Sequence, residues 1–344
     1  MTVQPHTFAV IGGRAVRRVL DGHETDLVKV VERAYRTHGE GRTVNPPSYF
    51  LRFADRPDAR IIALPASVAG NGETSGVDGL KWISSFPGNI GSGLQRASAV
   101  LILNNPDDGF PFACLEASII SATRTAASAA LAADHLTRTR ARPRSIGFYG
   151  AGLIARYVHR FLTAAGFHPD QVGVFDAVPG YAADFAASAQ RNGLGTVRTV
   201  EDGRTLVTGH DLVVFATTAP EPHVTDPTWF DHHPVVLHVS LRDLSVEVVL
   251  DSVNIVDDVD HCLRAGTSPH LAEQRTGDRE FVTGTLYDVL TGQVTVPADR
   301  TVVFSPFGLG VLDLAVGRYV HDTASRSGDL LRIEDFFDDL RRDI

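Results

Sequence analysis

The sequence predicts an α/β protein with two domains, one a parallel sheet flanked by helices and the other an α+β domain. Three observations support this fold class. The chain has 344 residues, which is more than a typical single domain contains. The central stretch 145–176 has the pattern of a strand, a helix and a second strand. The part before it contains short strand-like runs joined by turns, which is typical of an antiparallel sheet.

The first part begins with a predicted helix from Asp26 to about Thr37, for which Thr25 is a suitable N-cap. Short strands follow, and the turn at 104–109 predicts that the last two form a hairpin. The predicted strands are 48–53, 60–64, 80–84, 97–103 and 110–115. Their succession predicts an antiparallel meander rather than another βαβ unit.

An Ala- and Ser-rich segment, 116–136, follows this sheet and predicts a helix that packs closely on several sides. The next residues, 137–144, are polar and basic, and Pro143 is a helix breaker. We therefore predict a first domain at 1–140 and a second at 141–310, with 311–344 returning to the first.

The stretch 145–176 has the features of a dinucleotide-binding unit. A buried strand runs into Gly150-Ala151-Gly152-Leu153-Ile154-Ala155, the G-x-G-x-x-A fingerprint of Rossmann domains. Gly150 permits the tight turn, Gly152 lets the backbone approach a pyrophosphate, and Ala155 lets the helix pack on the strand. The pyrophosphate is expected at the helix N-terminus, where backbone N–H groups and the positive end of the dipole meet its charge.

Asp176 ends the second strand of this unit, about 20 residues beyond the glycines. A carboxylate at this position accepts the ribose hydroxyls of NAD and repels the 2′-phosphate of NADP. No arginine follows it directly, so the sequence favours NAD as the cofactor. The alternative is a purely structural βαβ crossover.

Alternating helix and strand patterns continue after Asp176 and predict further parallel strands. Thr217 and Thr218 follow one of these strands, which predicts that they line the cofactor groove. The predicted helix is 182–189, and the predicted strands are 196–200, 212–216, 235–239, 254–256 and 302–304. An apolar helix at 311–320 is predicted to return to the first domain. Residues 333–344 predict an amphipathic surface helix or a contact with a partner.

Composition excludes several classes of protein. The net charge is -9 and the pI is about 5.8, so the chain has no basic surface of the kind that binds nucleic acid or anionic membranes. It contains no run of 18 apolar residues and no signal-like N-terminus, which predicts a cytoplasmic protein. The two cysteines and the histidines have no metal-ligand spacing, so neither a disulfide framework nor a metal site is predicted.

Three basic residues of the first domain lie in apolar or small-residue segments: Arg52, Lys81 and Arg124. A cation in such surroundings requires a partner, which is either a structural carboxylate or a carboxylate of a ligand. Each of the three can also point to solvent, because strand residues alternate between faces. Three such residues beside a nucleotide domain favour a cleft for a small anionic substrate.

These motifs together resemble the ornithine cyclodeaminase/mu-crystallin family. The matching segments are Gly79-Leu80-Lys81-Trp82, Ala122-Thr123-Arg124-Thr125-Ala126-Ala127, Gly150-Ala151-Gly152 and Leu237-His238-Val239-Ser240-Leu241-Arg242-Asp243. The resemblance implies an N-terminal substrate-binding and dimerisation domain joined to an NAD(P)-binding Rossmann domain. It also implies a homodimer and a catalytic role for Asp243.

Segments 82–89 and 111–121 resemble one branch of this family, the N-(2-amino-2-carboxyethyl)-L-glutamate dehydrogenases. That branch splits its substrate oxidatively into L-2,3-diaminopropionate and 2-oxoglutarate, reducing NAD, and the product feeds siderophores and peptide antibiotics. The resemblance implies that Arg52, Lys81 and Arg124 bind the substrate carboxylates. Asp243 is then expected to activate water and move protons, assisted by Lys81.

Ornithine cyclodeaminases carry an acidic residue shortly before a Met-Pro, and here the corresponding stretch is Ile61-Ile62-Ala63-Leu64-Pro65. The missing carboxylate argues against ornithine as the substrate. Three alternatives remain: an ornithine cyclodeaminase, another amino-acid or imine dehydrogenase of the family, and a non-catalytic nucleotide-binding protein. Without the resemblance, Asp243 is better explained as an ordinary loop acid or an N-cap.

Overall fold

The computed structural model describes residues 7–70 and 75–338. The chain forms two compact units, Met1–Arg124 with Leu309–Ile344, and Thr125–Gly308. The division after Arg124 lies earlier than the boundary predicted at residue 140. It falls inside one continuous helix, Ser118–Leu136, where no change of composition could mark it.

The first unit is built on a mixed sheet. Its strands are β1 Phe8–Ile11, β2 Thr43–Val44, β3 Tyr49–Phe53, β4 Arg56–Val68, β5 Val77–Ser85, β6 Ala97–Asn104, β7 Pro111–Glu116 and β16 Leu331–Ile333. The order across the sheet is β16-β1-β7-β6-β5-β4-β2, and β3 also pairs with β4. β3 to β7 form the predicted antiparallel meander, whereas β1 lies parallel to β7.

Helices cover one face of this sheet. These helices are α1 Gly13–Leu20, α2 Glu24–Gly39 and α11 Gly310–Ser327. The helix Ser118–Leu136, in which the two units divide, is α3. α11 packs against α2, β4 and β5. A Cβ on Gly317 would lie 2.1 Å from Leu101 Cδ2, so glycine lets this helix pack closely against the sheet without displacing the Leu101 side chain. The close approach brings the side chains of α11 into contact with those of β5.

The second unit contains a fully parallel sheet. Its strands are β8 Ser145–Tyr149, β9 Gln171–Phe175, β10 Val197–Thr199, β11 Leu212–Phe215, β12 Val235–His238, β13 Val253–Val256, β14 Val282–Thr285 and β15 Val302–Ser305. The order is β10-β9-β8-β11-β12-β15-β13-β14. Every residue of β11, β12, β13 and β15 is buried, as expected for a parallel sheet covered on both faces.

The crossover helices of this unit are α4 Leu153–Ala164, α5 Pro179–Arg191, α6 Gly203–Thr208, α7 Val246–Asp251, α8 Val259–Cys262, α9 Ser268–Thr276 and α10 Leu286–Leu290. The chain leaves β8 toward β9 on one side and later returns to β11 on the other. The strand order therefore reverses between β8 and β11. In sheets of this kind, ligands bind at the carboxyl ends of the strands where the order reverses.

The predicted fold class, an α/β protein with a Rossmann-type domain and an α+β domain, is confirmed. Two local predictions were wrong, and some elements of the first unit were missed. The helix predicted from Asp26 begins at Glu24 after His23, so Thr25 is not its cap. β1 and α1 were missed. A helix was predicted at 333–344, but residue 333 is the last residue of β16, which pairs with β1. Residues 339–344 of this segment lie outside the described residues. None of the described helices is both long and apolar enough to cross a membrane.

Candidate active site

The glycine-rich turn after β8 has a backbone that requires glycine at its first position. Gly150 has φ of +98°, and a Cβ there would lie 2.6 Å from the carbonyl oxygen of Ala216. Its N–H donates to the Phe175 carbonyl at 2.8 Å, which ties the turn to β9. The turn thus passes directly over the ends of three neighbouring strands.

Gly152 precedes the first residue of α4, and the reason for glycine there is different. Its φ is -71°, which any residue can adopt, and a Cβ would meet no protein atom within 4 Å. The side chain of Leu153 is exposed, Ile154 is half-buried, and Ala155 is fully buried against the sheet. A helix start with open space above Gly152 fits the close approach of a pyrophosphate.

Asp176 holds this turn in place. Its Oδ2 accepts a hydrogen bond from the Ala151 N–H at 2.9 Å, and its Oδ1 accepts one from the Val178 N–H at 2.9 Å. The carboxylate is half-buried at the end of β9. It therefore stabilises the glycine turn. This role is additional to its predicted contact with the ribose.

Asp243 lies in the loop after β12 and has no exposed surface (0%). Its Oδ1 contacts the Thr217 hydroxyl and lies 3.1 Å from His223 Nε2. Its Oδ2 contacts the Ser240 hydroxyl and lies 3.2 Å from His238 Nε2. All four groups can donate hydrogen bonds, which is what a buried carboxylate requires.

These donors determine the charge of Asp243. Burial alone would raise the pKa of its carboxyl group, but the hydrogen bonds from the two imidazoles and the Ser240 hydroxyl outweigh burial. Together they hold the pKa well below its ordinary value, so the group is ionised at neutral pH. Asp243 is thus a fixed negative charge inside the second unit.

The two threonines after β11 differ in their surroundings. Thr217 donates its hydroxyl to Asp243 and accepts the Ala219 N–H at 3.1 Å, so it connects the end of β11 with the loop after β12. Thr218 is exposed. Thr217 therefore supports the buried acid, in addition to its predicted position beside the cofactor groove.

A second charged cluster lies in the first unit. Lys81 on β5 is only 2% exposed, and its Nζ lies 2.6 Å from Asp313 Oδ2. Arg124 Nε lies 3.1 Å from the other carboxylate oxygen of Asp313, and Lys81 also contacts Ser121 Oγ at 3.3 Å. The structure thus brings two of the three predicted substrate-binding cations together around one buried carboxylate.

The environment of Lys81 changes its acidity. Burial, together with the nearby Arg124 charge, outweighs the attraction of Asp313 and lowers the pKa of its ammonium group from 10.5 to about 8. An amine with this pKa is within range to exchange a proton near neutral pH. The acid–base role of Lys81 stays a prediction.

Arg52 lies apart from this cluster. It is exposed on β3, and its guanidinium lies over the Phe50 ring, 5.0 Å from the centroid. Arg52 aligns through Arg60 with Ser85, which is four residues beyond Lys81 on the same face of β5. The partly buried Arg96, which the sequence analysis did not select, donates to Ser85 Oγ at 2.8 Å. The face of the sheet that carries Lys81 therefore continues into a basic region.

Several residues of these clusters were missed from the sequence. Asp313 had a visible signal, since it is the one acid in the apolar run Val311-Leu312-Asp313-Leu314-Ala315-Val316 and needs a buried partner. His223 had none, because it reaches Asp243 from a loop 20 residues earlier in the chain. His238, considered only as a possible metal ligand, instead bonds Asp243. Among the described residues, no group of three His, Cys, Asp or Glu side chains is arranged to hold a metal ion.

The chain is similar to known proteins over most of its length. Residues 17–328 match the ornithine cyclodeaminase/mu-crystallin family. The nodulation efficiency protein NfeD of Rhizobium meliloti is 31% identical over 312 residues, covering 88% of this chain and 91% of that protein. The N-((2S)-2-amino-2-carboxyethyl)-L-glutamate dehydrogenase of Staphylococcus aureus is 27% identical over 318 residues, with 88% and 91% covered.

Among solved structures, an archaeal alanine dehydrogenase dimer with bound NAD superposes with a TM-score of 0.85. It is 25% identical, and the match covers 96% of this chain and 100% of that one. The chain therefore belongs to the ornithine cyclodeaminase/mu-crystallin family, as its motifs predicted, and the predicted enzyme class, an NAD-dependent oxidoreductase, is that of its relatives.

Proposed function

We propose that this protein oxidises N-(2-amino-2-carboxyethyl)-L-glutamate with NAD and releases L-2,3-diaminopropionate and 2-oxoglutarate. The observation that carries the proposal is the cluster of Lys81 and Arg124, which share a single carboxylate, Asp313. With both cations protonated, the cluster keeps one net positive charge in a buried position. It is therefore suited to a carboxylate of the substrate.

The substrate proposed here has three carboxylates, so one subsite is not enough. Arg52 and Arg96 lie along the same region of the sheet and extend the positive charge beyond Lys81. Guanidinium groups bind carboxylates in a defined orientation, which would fix the orientation of the glutamyl Cα–H for hydride transfer. The similarity to the dehydrogenase of Staphylococcus aureus supports this choice of substrate.

The cofactor proposed is NAD, which accepts the hydride when bound. Gly150, Ala151 and Gly152 with the first turn of α4, Leu153 and Ile154, would hold its pyrophosphate. Asp176 would accept the ribose hydroxyls, and Thr217 and Thr218 would border the groove. Replacing Asp176 with Ser removes the charge that repels a 2′-phosphate, so we expect the preference for NAD over NADP to fall. Gly152→Ala should abolish NAD binding, measured by fluorescence titration, without changing the melting temperature.

Loss of hydride leaves a carbon–nitrogen double bond, which water must then attack. Lys81, with a pKa of about 8, is suited to accept a proton from the substrate amine or to return one to it. The negative charge of Asp243 would stabilise a positive charge that develops on a neighbouring group when that group accepts a proton. The first unit thus contributes substrate binding and the second the cofactor turn and the buried acid.

An alternative substrate is a simpler amino acid such as alanine. The archaeal alanine dehydrogenase shares the whole fold, and a single carboxylate subsite of Lys81 and Arg124 would suffice for it. Ornithine is disfavoured because Ile61 to Leu64 contain no acid to bind its side-chain amine. A protein that binds NAD without turnover is the third possibility.

The test is the appearance of NADH absorbance when the protein is mixed with NAD and N-(2-amino-2-carboxyethyl)-L-glutamate, with products identified by mass spectrometry. NADH together with diaminopropionate and 2-oxoglutarate would support the proposal. Turnover of alanine, ornithine or a cyclic imino acid instead would contradict the substrate and retain the enzyme class. NAD binding with no turnover of any of these would contradict catalysis.

We also propose that the protein is a homodimer through the outer face of the first unit's sheet. Lys81 and Trp82 are neighbours in β5 and point to opposite faces, and Trp82 is 40% exposed. Tyr49, Trp82 and Val100 lie in one cross-strand row through Ala63, so exposed apolar side chains form a continuous surface. The alanine dehydrogenase relative is a dimer, which supports a second copy as the occupant.

Sedimentation equilibrium tests this surface. We expect a dimer for the wild type and a monomer for Trp82→Glu, because a carboxylate would be buried in the interface. Tyr181→Glu, which alters an exposed aromatic residue of α5 in the second unit, is the matched control and should leave the dimer intact. A dimer in both variants would contradict the proposed surface.

A further inference from the structure

His223 is a partly exposed imidazole that is bound to the buried Asp243. Its side chain is 32% exposed, whereas Asp243 is completely buried. Its Nε2 lies 3.1 Å from Asp243 Oδ1. An ionised carboxylate only accepts hydrogen bonds, so Nε2 carries the hydrogen, and in the neutral ring Nδ1 then carries the lone pair.

The backbone fixes the two residues relative to one another. The N–H groups of His223 and Val224 both donate to the Asp243 carbonyl, at 3.0 and 2.9 Å, and Ser245 N–H donates back to Val224 at 2.9 Å. Val224 also forms a parallel bridge with Leu244. The hydrogen bond of the ring to Asp243 and the hydrogen bond of the His223 backbone therefore both fix this residue, which leaves the imidazole little orientational freedom.

The position of the ring relates it to the nucleotide turn. Its centroid lies 5.1 Å from that of Tyr149, the last residue of β8 and the residue directly before Gly150. His223 therefore lies beside the start of the turn that would hold the cofactor, at the carboxyl edge of the sheet where catalytic residues of such folds occur.

Asp243 itself is poorly suited to exchange protons with water. It has no exposed surface, and both of its oxygens already contact two donors each. A carboxylate whose pKa is held well below its ordinary value is also a weak base at neutral pH. A partly exposed imidazole on the same carboxylate reaches solvent, and its second ring nitrogen is a proton acceptor of the kind that histidine supplies in general acid–base catalysis.

We propose that His223 is the residue that exchanges protons with the reacting water and the leaving amine, and that Asp243 is a positioning residue that orients its ring. This inference rests on the proposed function, in which a carbon–nitrogen double bond is hydrolysed. The water oxygen bonds to the imine carbon, the π electrons move to nitrogen, and His223 Nδ1 takes one water proton and passes it to that nitrogen, which gives a neutral carbinolamine. His223 Nδ1 then takes the remaining hydroxyl proton while the carbon–oxygen double bond forms and the carbon–nitrogen bond breaks. His223 delivers this second proton to the departing amine nitrogen.

The experiment compares His223→Asn and His223→Ala with His168→Ala, which alters an exposed histidine elsewhere in the second unit. Asn retains a group that can donate to Asp243 and so preserves the loop, but it cannot exchange protons. We expect both His223 variants to lower kcat by about 10²–10⁴-fold with NAD affinity unchanged. Added imidazole should restore part of the lost kcat of His223→Ala in proportion to its concentration, and His168→Ala should behave as the wild type.

Near-normal kcat in His223→Asn would overturn the inference. Loss of activity in a folded, NAD-binding His223→Ala that imidazole does not restore would also overturn it, because that pattern indicates a structural role. A wild type that turns over no amino or imino acid of the panel would overturn the proposed function and this inference with it. A failure of this inference can therefore be distinguished from a failure of the proposed function.

Discussion

Each unit buries a carboxylate completely, Asp313 in the first and Asp243 in the second. The groups that stabilise these two negative charges differ. Asp313 contacts the cationic nitrogens of Lys81 and Arg124. Asp243 contacts two hydroxyl groups and two imidazoles. The first cluster pairs one negative with two positive groups, whereas the second surrounds one negative charge mainly with dipoles.

A buried aspartate is thus stabilised by cations in one unit and mainly by hydrogen-bond donors in the other. Two cations around one carboxylate retain a positive charge, which suits a site that must bind an anion. A carboxylate surrounded by hydrogen-bond donors stays ionised and orients those donors, which suits a site that must position a proton-transfer group. Both clusters are buried, so replacing either carboxylate affects stability, and by different amounts.

The largest effect is expected for Asp313→Asn. The substitution leaves two cations in a buried site without a negative partner, and we expect the free energy of unfolding to fall by about 3–5 kcal/mol. Urea denaturation followed by circular dichroism measures this change. Asp322→Asn is the matched control, because Asp322 pairs with Arg318 on the same helix at a partly exposed site, and its loss should be below about 1 kcal/mol. Equal losses would contradict the burial argument.

Lys81→Met tests the pH dependence of the same cluster. The pKa of Lys81 is about 8 in the folded protein and 10.5 without burial, so between these values the unfolded chain binds the proton more tightly. Its contribution to stability therefore rises with pH from about 8 to 10.5. We expect the stability difference between wild type and Lys81→Met to shift by about 2 kcal/mol in favour of the wild type from pH 8 to pH 10. Lys29→Met, at an exposed ion pair, should give no such shift.

Asp243→Asn should have the smallest effect on stability. The hydroxyl groups of Thr217 and Ser240 can rotate to accept hydrogen bonds from the amide, so the cluster remains largely satisfied. We expect a loss of about 1 kcal/mol in the same denaturation experiment, although turnover should fall. A loss as large as that of Asp313→Asn would indicate that the surrounding imidazoles are charged, and the contrast between the two clusters would be wrong.

The sequence was most informative where function depends on backbone geometry. Gly150, Gly152 and Asp176 are close in the chain, and their spacing alone indicates a strand, a turn and a helix N-terminus. The structure gives each glycine its own reason, a positive φ at Gly150 and open space at Gly152. Local sequence could predict this site because every part of it lies within one βαβ unit.

The clusters around the buried carboxylates required the tertiary structure. Lys81 and Asp313 are 232 residues apart, and they meet because α11 packs on β5. His223 and Asp243 meet because two loops join at the carboxyl ends of parallel strands. The family, the fold class and the nucleotide turn could be predicted from the sequence, since they follow from local patterns. Which charged groups face one another could be seen only in the folded chain, because such partners are set by packing between segments that no local pattern connects.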